Sequence, residues 1–300
     1  MYVILGATGH TGSAIAESLL AKGEKVRVIG RSKERLANLS GHGAEAFVGD
    51  ATDSAFLTQA FGGARAVYFM VPPNPTSSDY RGFQTRVIDA GAKALEAAGV
   101  HYAVALSSFG ADKESGSGPV SGLHELEVKF QRISSLNAIY LRAGYFMENM
   151  IPQVSVIQNF GIMGGPVRPN LPLPLIATED IGAAATQRLL KLDFSGNETR
   201  ELLGQRDITY TEAARIAGAA IGKPNLTYMQ LPPDQFIQAL VQMGASNNFA
   251  SLVVEMAGAM NDGRMKALEP RSASNTTSTS FEEFVQKEFL PAYRGKATTA

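Results

Sequence analysis

The chain has 300 residues, enough to bury a full hydrophobic core, and its formal net charge is −1 with acidic and basic residues interspersed. With this balance the sequence has no basic cluster of the kind that binds nucleic acid. No apolar segment approaches the ~20 residues of a membrane-spanning helix. Cysteine is absent, which excludes disulfides, thiolate nucleophiles and cysteine-ligated zinc or iron–sulfur sites. Because a strand is predicted from Tyr2, we expect no signal peptide, no membrane partner and a cytoplasmic location.

The first half of the chain alternates between short apolar strands and helical patterns. Strands are predicted at 2–5, 25–29, 44–48, 66–71, 102–106 and 138–141, and helices at 10–22, 54–61, 79–98 and 123–134. Alternation of this kind implies parallel pairing with right-handed crossovers, and the strands are apolar enough for burial on both faces. We therefore predict an α/β fold of the Rossmann type, with a doubly wound parallel sheet.

After Gly144 the pattern changes, and prolines and glycines interrupt residues 161–174 as in a loop or a connecting strand. Thr178 is predicted to cap a helix over 178–190, and a strand over 199–204 to return to the sheet. Helical patterns follow at 211–221, 234–243, 247–259 and 281–289, while the polar stretch 272–280 is expected to be mobile. The predicted division is a dinucleotide-binding domain (1–150, with 178–204), a smaller, mainly helical substrate lobe (151–177 and 205–290) and a tail (291–300).

A glycine-rich turn lies between the first strand and the first helix, with the sequence Gly6-Ala7-Thr8-Gly9-His10-Thr11-Gly12. Gly6 permits the tight turn, Gly9 lets a phosphate approach the backbone, and Gly12 allows the helix to pack closely on the strand. The amides and the dipole at the helix start attract a pyrophosphate, and His10 can reach it through its backbone. Strand, turn and helix in this order predict dinucleotide binding rather than a merely structural turn.

The end of the second strand discriminates between NAD and NADP. An NAD site has a carboxylate there for the ribose hydroxyls, whereas residues 30–33 of this chain are Gly-Arg-Ser-Lys. Arg31 can pair bidentately with a 2′-phosphate, with Lys33 beside it, so NADPH is the predicted cofactor; a surface position at a helix start is the alternative for Arg31. Asp50 and Ala51 are placed to flank the adenine, although Asp50 could equally cap the next helix.

Further candidates follow the later strands, whose carboxyl ends border the ligand crevice of an open parallel sheet. Met70, Val71 and Pro72 are predicted to form an apolar wall beside the cofactor. Ser107 follows the fifth strand, where its hydroxyl can meet the nicotinamide or the substrate, or can simply cap a turn.

These features together resemble the NmrA-like family of atypical short-chain dehydrogenases/reductases. The resemblance rests on the glycine turn, Arg31 and the segments 107–111 (SSFGA) and 141–149 (LRAGYFMEN), and it covers essentially the whole chain. It implies NADPH-dependent reduction of a quinone, an azo dye or a triphenylmethane dye, and it places Gly144 and Tyr145 beside the nicotinamide. The family also includes non-catalytic redox sensors.

The Tyr-x-x-x-Lys pair typical of this superfamily is absent, because no tyrosine here has a lysine four residues later. In the resembling reductases a histidine followed four residues later by glutamate takes its place. His124 matches that histidine, but Val128 stands at the glutamate position, between Glu127 and Lys129. His124 is a candidate proton donor, since imidazole titrates near neutrality, or else a structural hydrogen-bond partner.

Reduction of a ketone needs an acid beside the developing alkoxide, whereas a quinone gives a stabilised phenolate that water can protonate. We therefore predict an NADPH-dependent reductase that transfers hydride to a planar apolar electrophile, such as a quinone or a dye, and that is a monomer or a homodimer. His124, Ser107 and Tyr145 are the candidate catalytic residues. The alternative is a non-catalytic NADP-binding redox sensor. No metal site is expected, because the histidines lack ligand spacing.

Overall fold

The computed structural model describes residues 1–295, and a seven-stranded, wholly parallel sheet forms its centre. The strands within these residues are β1 (Tyr2–Leu5), β2 (Val26–Gly30), β3 (Glu45–Val48), β4 (Ala66–Phe69), β5 (Tyr102–Ser108), β6 (Asn137–Ala143), β7 (Tyr145–Phe146), β8 (Met163–Gly165), β9 (Leu173–Ile176), β10 (Asn197–Leu202), β11 (Asp207–Ile208) and β12 (Tyr228–Gln230). The order in the main sheet is β10-β6-β5-β4-β1-β2-β3. This order confirms the predicted doubly wound sheet, and its direction reverses between β1 and β4, where such sheets bind ligands.

The described residues also form helices. They are α1 (His10–Ala21), α2 (Lys33–Gly41), α3 (Ser54–Phe61), α4 (Tyr80–Ala97), α5 (Ser121–Gln131), α6 (Gln153–Phe160), α7 (Thr178–Lys191), α8 (Tyr210–Ala220), α9 (Pro233–Gln242), α10 (Asn247–Asn261) and α11 (Phe281–Phe284). Helices α1, α2 and α7 share one hydrophobic cluster with the sheet, and α3, α4 and α5 share another on the opposite face. Burial from both sides explains why β1 and β4 are apolar at every position.

The rest of the chain packs around a third hydrophobic cluster, which extends from Phe109 to Phe289. It combines α6, α8, α10 and α11 with two small sheets, ordered β11-β9-β7 and β12-β8. The short strand β7 follows β6 directly and pairs with β9, so the end of the main sheet leads straight into this region. Both small sheets were absent from the predicted elements, because their two- to four-residue strands are too short to show a periodic pattern.

Several boundaries differ from the predicted ones for local reasons. Strand β4 ends at Phe69 rather than at residue 71, just before Pro72 and Pro73, which cannot donate to a ladder. Helix α2 was not predicted, because only Leu36 and Leu39 of its nine residues are buried. Helix α6 lies in the region where the pattern changed, and it buries only Ile157. Short helices with so few apolar contacts give weak sequence signals.

The polar stretch 272–280 is fixed to the body of the protein, which contradicts the expected mobility. The carbonyl of Asn275 accepts a hydrogen bond from the Leu203 amide at the end of β10 (2.7 Å). The Thr279 hydroxyl donates to the buried Asp180 carboxylate in the first turn of α7 (2.9 Å). The polar residues of this stretch make hydrogen bonds to buried protein groups rather than to water. Composition alone does not distinguish a polar stretch that is bonded in this way from a mobile one.

The predicted tail is partly helical. Helix α11 continues through a π-helical turn (Val285–Phe289) into a further helical turn (Leu290–Tyr293), so the fold extends past residue 290. The disorder predicted for residues 296–300 lies outside the described residues. Across residues 1–295, no helix is both long enough and apolar enough to cross a membrane.

Helices α1 and α7 pack closely, and a glycine makes that approach possible. A Cβ atom built on Gly182 would lie 2.8 Å from the Cβ of Ala14, closer than two such atoms can sit. We expect Gly182→Ala to lower the free energy of unfolding by about 1–3 kcal/mol, because α7 must move away from α1. Gly258 in α10 is the matched control, since nothing lies within 4 Å of its Cβ position.

Gly258→Ala should stabilise the protein by up to about 1 kcal/mol through helix propensity. Denaturant unfolding followed by circular dichroism measures both variants. Equal effects of the two substitutions would show that the α1–α7 approach is not tight at Gly182.

Candidate functional site

The glycine turn has the geometry of an anion cradle. Gly6 adopts a left-handed backbone conformation (φ 76°), and its carbonyl accepts a hydrogen bond from the Gly9 amide (3.0 Å). A Cβ atom on Gly12 would overlap the Gly6 carbonyl oxygen, so only glycine permits this approach of α1 to β1. Within residues 1–295, the backbone amides of His10, Thr11 and Gly12 have no hydrogen-bond acceptor. Free amides at the positive end of a helix dipole favour a phosphate.

The side chains around the cradle divide into core and surface groups. The hydroxyl of Thr11 is buried and accepts a hydrogen bond from the Tyr68 hydroxyl (3.1 Å), which leaves only the Thr11 amide for a ligand. Met70 covers the turn, because its sulfur lies 2.6 Å from where a Gly6 Cβ would be. Gly9 and His10 are exposed. The turn is therefore closed towards the core and open on the side of its free amides.

A second arginine accompanies Arg31 at the end of β2. Arg31 and Lys33 are exposed there, and Ser32 caps α2 by accepting a hydrogen bond from the Arg35 amide (3.2 Å). The Arg35 guanidinium donates to the Thr8 carbonyl in the glycine turn (2.9 Å). Arg35 was not among the predicted residues, although a helix capped at Ser32 would have indicated it. The Arg35 guanidinium thus lies at the edge of the turn, and Arg31 is exposed at the end of β2.

Asp50 does not cap the next helix, so that alternative was wrong. Its carboxylate accepts hydrogen bonds from the amide and the hydroxyl of Thr52 (both 2.9 Å). Asp53 caps α3 instead, accepting from the amides of Ala55 and Phe56. Asp50 is exposed after the end of β3, whereas Ala51 is buried, and their contact with an adenine stays a prediction.

Ser107 is bonded to a buried ion pair. Its side chain is 1% exposed, and its hydroxyl donates to the Glu127 carboxylate (2.6 Å). The Arg142 guanidinium donates to both oxygens of the same carboxylate (2.9 and 2.6 Å). Glu127 raises the pKa of Arg142, and burial partly opposes it. The Ser107 hydroxyl thus joins β5, α5 and β6, and its contact with nicotinamide or substrate stays a prediction.

His124 bonds to a backbone carbonyl and has no carboxylate partner in the part of the chain that the structure describes. Its Nδ1 lies 2.9 Å from the Ala111 carbonyl oxygen, which can only accept, so Nδ1 carries the proton. The neutral ring therefore presents Nε2 as an acceptor, and only the imidazolium form can donate a proton from Nε2. Val128 stands where the resembling reductases have a glutamate, and Glu127 is its acidic neighbour. Because Glu127 is paired with Arg142, it does not take the place of that glutamate beside His124. The predicted role of His124 in proton transfer is restricted to its charged form.

Gly144 and Tyr145 mark the passage from β6 into the small sheet. A Cβ atom on Gly144 would overlap the Pro174 carbonyl oxygen, so the two segments touch through backbone. Burial raises the pKa of the Tyr145 hydroxyl, and the neighbouring Tyr210 hydroxyl partly offsets the rise, so Tyr145 is protonated at neutral pH. Tyr210 in turn stacks on Tyr228 with ring centroids 4.5 Å apart. Contact of Tyr145 with a planar substrate stays a prediction.

Glu148 was not predicted as a site residue, although it lies in the quoted segment 141–149. One carboxylate oxygen, Oε1, accepts hydrogen bonds from the amide (2.8 Å) and the hydroxyl (2.6 Å) of Thr178. Glu148 therefore caps α7, and the prediction that Thr178 is the cap was wrong. The second oxygen, Oε2, is buried and has no partner within the described chain. Burial raises the pKa of Glu148, while the hydrogen bonds from Thr178 lower it.

A parallel sheet of this order with a glycine turn at the end of its central strand defines the Rossmann class of proteins. The sequence profile of the NmrA-like family matches residues 2–285, and the chain belongs to this family. The chain is 27% identical to an uncharacterized oxidoreductase, YesF, of Bacillus subtilis (strain 168), over 91% of this chain and 92% of that one.

Two solved structures show the same fold. The NADPH-dependent quinone oxidoreductase QOR2 of Escherichia coli, complexed with NADPH, superposes with a TM-score of 0.79 at 24% identity, covering 95% of this chain and 99% of its own. The triphenylmethane reductase of Citrobacter sp., complexed with NADP(H), superposes with a TM-score of 0.78 at 19% identity, covering 95% and 99% of the two chains.

The buried ion pair between Glu127 and Arg142 predicts a large stability effect. In Arg142→Met the Glu127 carboxylate loses its charged partner while it stays buried, and we expect a loss of about 3–5 kcal/mol in the free energy of unfolding. Arg188→Met is the control, because the Arg188–Asp193 pair is far more exposed. Its cost should be below about 1 kcal/mol. Urea denaturation measures both, and similar costs would contradict a structural role for the buried pair.

Proposed function

We propose that this protein is an NADPH-dependent reductase that transfers hydride to a planar, apolar electrophile such as a quinone or a dye. The observation that carries the cofactor assignment is the cradle of free amides at His10, Thr11 and Gly12, with the Arg35 guanidinium bonded to the turn and Arg31 exposed at the end of β2. The amides accommodate a pyrophosphate, and the two guanidinium groups accommodate a 2′-phosphate. Both features fit the same extended dinucleotide.

The names of related proteins support the reductase assignment. The relative from Bacillus subtilis is described as an oxidoreductase, and the two solved structures are a quinone oxidoreductase and a triphenylmethane reductase, both solved with the nicotinamide cofactor. Their acceptors are conjugated and largely apolar. We propose the same class of acceptor for this chain and name no single compound.

The chemistry follows from what the chain supplies and what it lacks. When bound, NADPH supplies a hydride, which together with one proton converts a quinone into a hydroquinone and leaves NADP⁺. The chain has no Tyr-x-x-x-Lys pair, so the proton comes from solvent or from the imidazolium of His124. The backbone contact at Gly144 and the Glu127–Arg142 pair hold the ends of β5 and β6. The carboxyl ends of strands in an open parallel sheet border its ligand crevice.

The second candidate function is a non-catalytic NADP-binding redox sensor. One observation favours it: the Nδ1 proton of His124 is donated to a backbone carbonyl, and Glu127 is held by Arg142, so no His–carboxylate relay exists among the described residues. A sensor needs only the cofactor site and a surface for a partner. Turnover discriminates between the two functions.

Purified protein with NADPH and a panel of acceptors tests the reductase proposal. Loss of NADPH absorbance at 340 nm should accompany reduction of small quinones or triphenylmethane dyes. Simple ketones should not react, because the chain has no Tyr-x-x-x-Lys pair to protonate the developing alkoxide. Reactions without protein correct for direct reduction of the dye. Tight NADPH binding without turnover of any acceptor would favour the sensor.

Cofactor choice is tested separately at Arg31. We expect Arg31→Ala to raise the Kd for NADPH by about 10-fold or more, because a charge-assisted contact to the 2′-phosphate is lost, and to change the Kd for NADH by less than about threefold. Arg132→Ala, an exposed arginine at the end of α5, controls for net charge. Fluorescence titration gives both constants. Equal weakening of the two cofactors would show that Arg31 does not contact the 2′-phosphate.

A further inference from the structure

Helix α9 contributes no side chain to the hydrophobic core. It buries none of its residues, and its apolar side chains belong to none of the three hydrophobic clusters among residues 1–295. The helix is nevertheless amphipathic, because Phe236, Ile237 and Leu240 share one side and glutamines occupy the other. These three apolar side chains are half-buried beside α10. The packing of the protein alone therefore does not account for the apolar side of α9.

Both ends of α9 are fixed, and they are fixed to different parts of the molecule. Just before the helix, the Leu231 amide donates a hydrogen bond to the Gly165 carbonyl of β8 in the small lobe (2.8 Å). Just after it, the Ser246 amide donates to the Pro75 carbonyl in the segment that follows β4 (2.8 Å). A helix of ten residues is about 15 Å long. Helix α9 therefore runs from the small lobe to the carboxyl end of β4.

Helix α10 extends these contacts to the next strand of the main sheet. Its Asn248 side chain accepts a hydrogen bond from the Tyr80 amide (2.9 Å), and the Phe249 ring packs on the Tyr80 ring with centroids 4.9 Å apart. Further along α10, a Cβ atom on Gly118 would overlap the Leu252 carbonyl oxygen, so α10 touches the segment between β5 and α5 through backbone. The α9–α10 hairpin thus contacts the connections that follow β4 and β5.

Those two connections border one half of the ligand crevice. Because Arg31 at the end of β2 is the proposed contact for the 2′-phosphate, the adenosine half of the dinucleotide belongs to β1, β2 and β3. The nicotinamide half then lies outside the carboxyl ends of β4, β5 and β6. A hydride acceptor must lie in contact with the nicotinamide. The α9–α10 hairpin is therefore on the acceptor side of the crevice.

The side chains of α9 fit a conjugated acceptor better than a phosphate. The helix contains no basic residue, and its one charged residue is Asp234 in the first turn. Resting on the proposed function, we propose that the apolar side of α9 contacts the acceptor, with Phe236 and Leu240 at its centre. These two residues are four apart and so lie about 5–6 Å from each other along the helix. An acceptor with several rings reaches both of them, and a single ring does not, so α9 selects for larger ring systems.

The test compares Phe236→Ala with Phe160→Ala, the same change at a position of α6 that is 75% exposed. Absorbance titration gives the Kd of crystal violet, a triphenylmethane dye, for the NADP⁺ complex, which has no hydride to transfer. Phe236→Ala should raise that Kd by about fivefold or more and leave the Kd of NADPH within about twofold. The kcat/KM for the dye should fall by a similar factor, and that for 1,4-benzoquinone by less than about twofold, because one ring spans less of α9. Phe160→Ala should change none of these values.

Hydrogen exchange of the wild type provides a second measurement that needs no variant. Crystal violet added to the NADP⁺ complex should slow the exchange of the amides of residues 234–243, because the bound dye holds α9 in its folded position. The same experiment without dye, at several protein concentrations, shows whether a second copy of the chain covers α9.

The outcomes separate this inference from the proposed function. An unchanged dye Kd in a folded Phe236→Ala protein overturns the role of α9 while the reductase assignment stands. If the variant does not fold, unchanged exchange of α9 when the dye binds to the wild type overturns it equally. Exchange that slows with protein concentration in the absence of dye assigns the apolar side to a second copy and also overturns it. A wild type that reduces no acceptor overturns the proposed function, and the role of α9 with it.

Discussion

The contact between the Gly6 carbonyl and Gly12 is the constraint on which the rest of the molecule depends. It brings the first turn of α1 against the end of β1, at the centre of the main sheet, and leaves three amides without a hydrogen-bond acceptor among the described residues. Any side chain at Gly12 would force the helix away and tilt those amides. The neighbouring packing of α7 on α1 through Gly182 then fixes where a second helix start lies. These two close approaches thus position the starts of α1 and α7 relative to the main sheet.

The opposite side of the crevice is organised by charge rather than by close packing. Glu127 and Arg142 form a buried bidentate pair with Ser107, and this pair joins the ends of β5 and β6 to α5. The arrangement has two consequences for chemistry. It engages the Ser107 hydroxyl as a donor, and it holds Glu127, while His124 on α5 bonds to a carbonyl instead of a carboxylate. A substrate that water can protonate suits such a site better than one that needs a dedicated acid.

Much of the architecture could be predicted because its signals are local. The strands of the main sheet are continuous apolar segments, and the glycine turn is a contiguous sequence with a known geometric demand. Helices α2 and α6, which bury few side chains, were not predicted. The mobility expected of 272–280 was wrong, because polar residues there bond to α7 and β10. In those cases the structure depends on distant partners, which local composition does not reveal.

The sequence by itself determined the sheet class, the cofactor turn and the basic end of β2, since each depends on residues adjacent in the chain. Only the tertiary structure decided which side chains are available there. It joined Ser107, Glu127 and Arg142 across 35 residues. It also brought Arg35 to the Thr8 carbonyl and placed the Glu148 carboxylate at the start of α7, which begins 30 residues later in the chain. Hydrogen-bond partners are chosen by distance in space, and a buried polar group takes whichever partner the packing brings within reach.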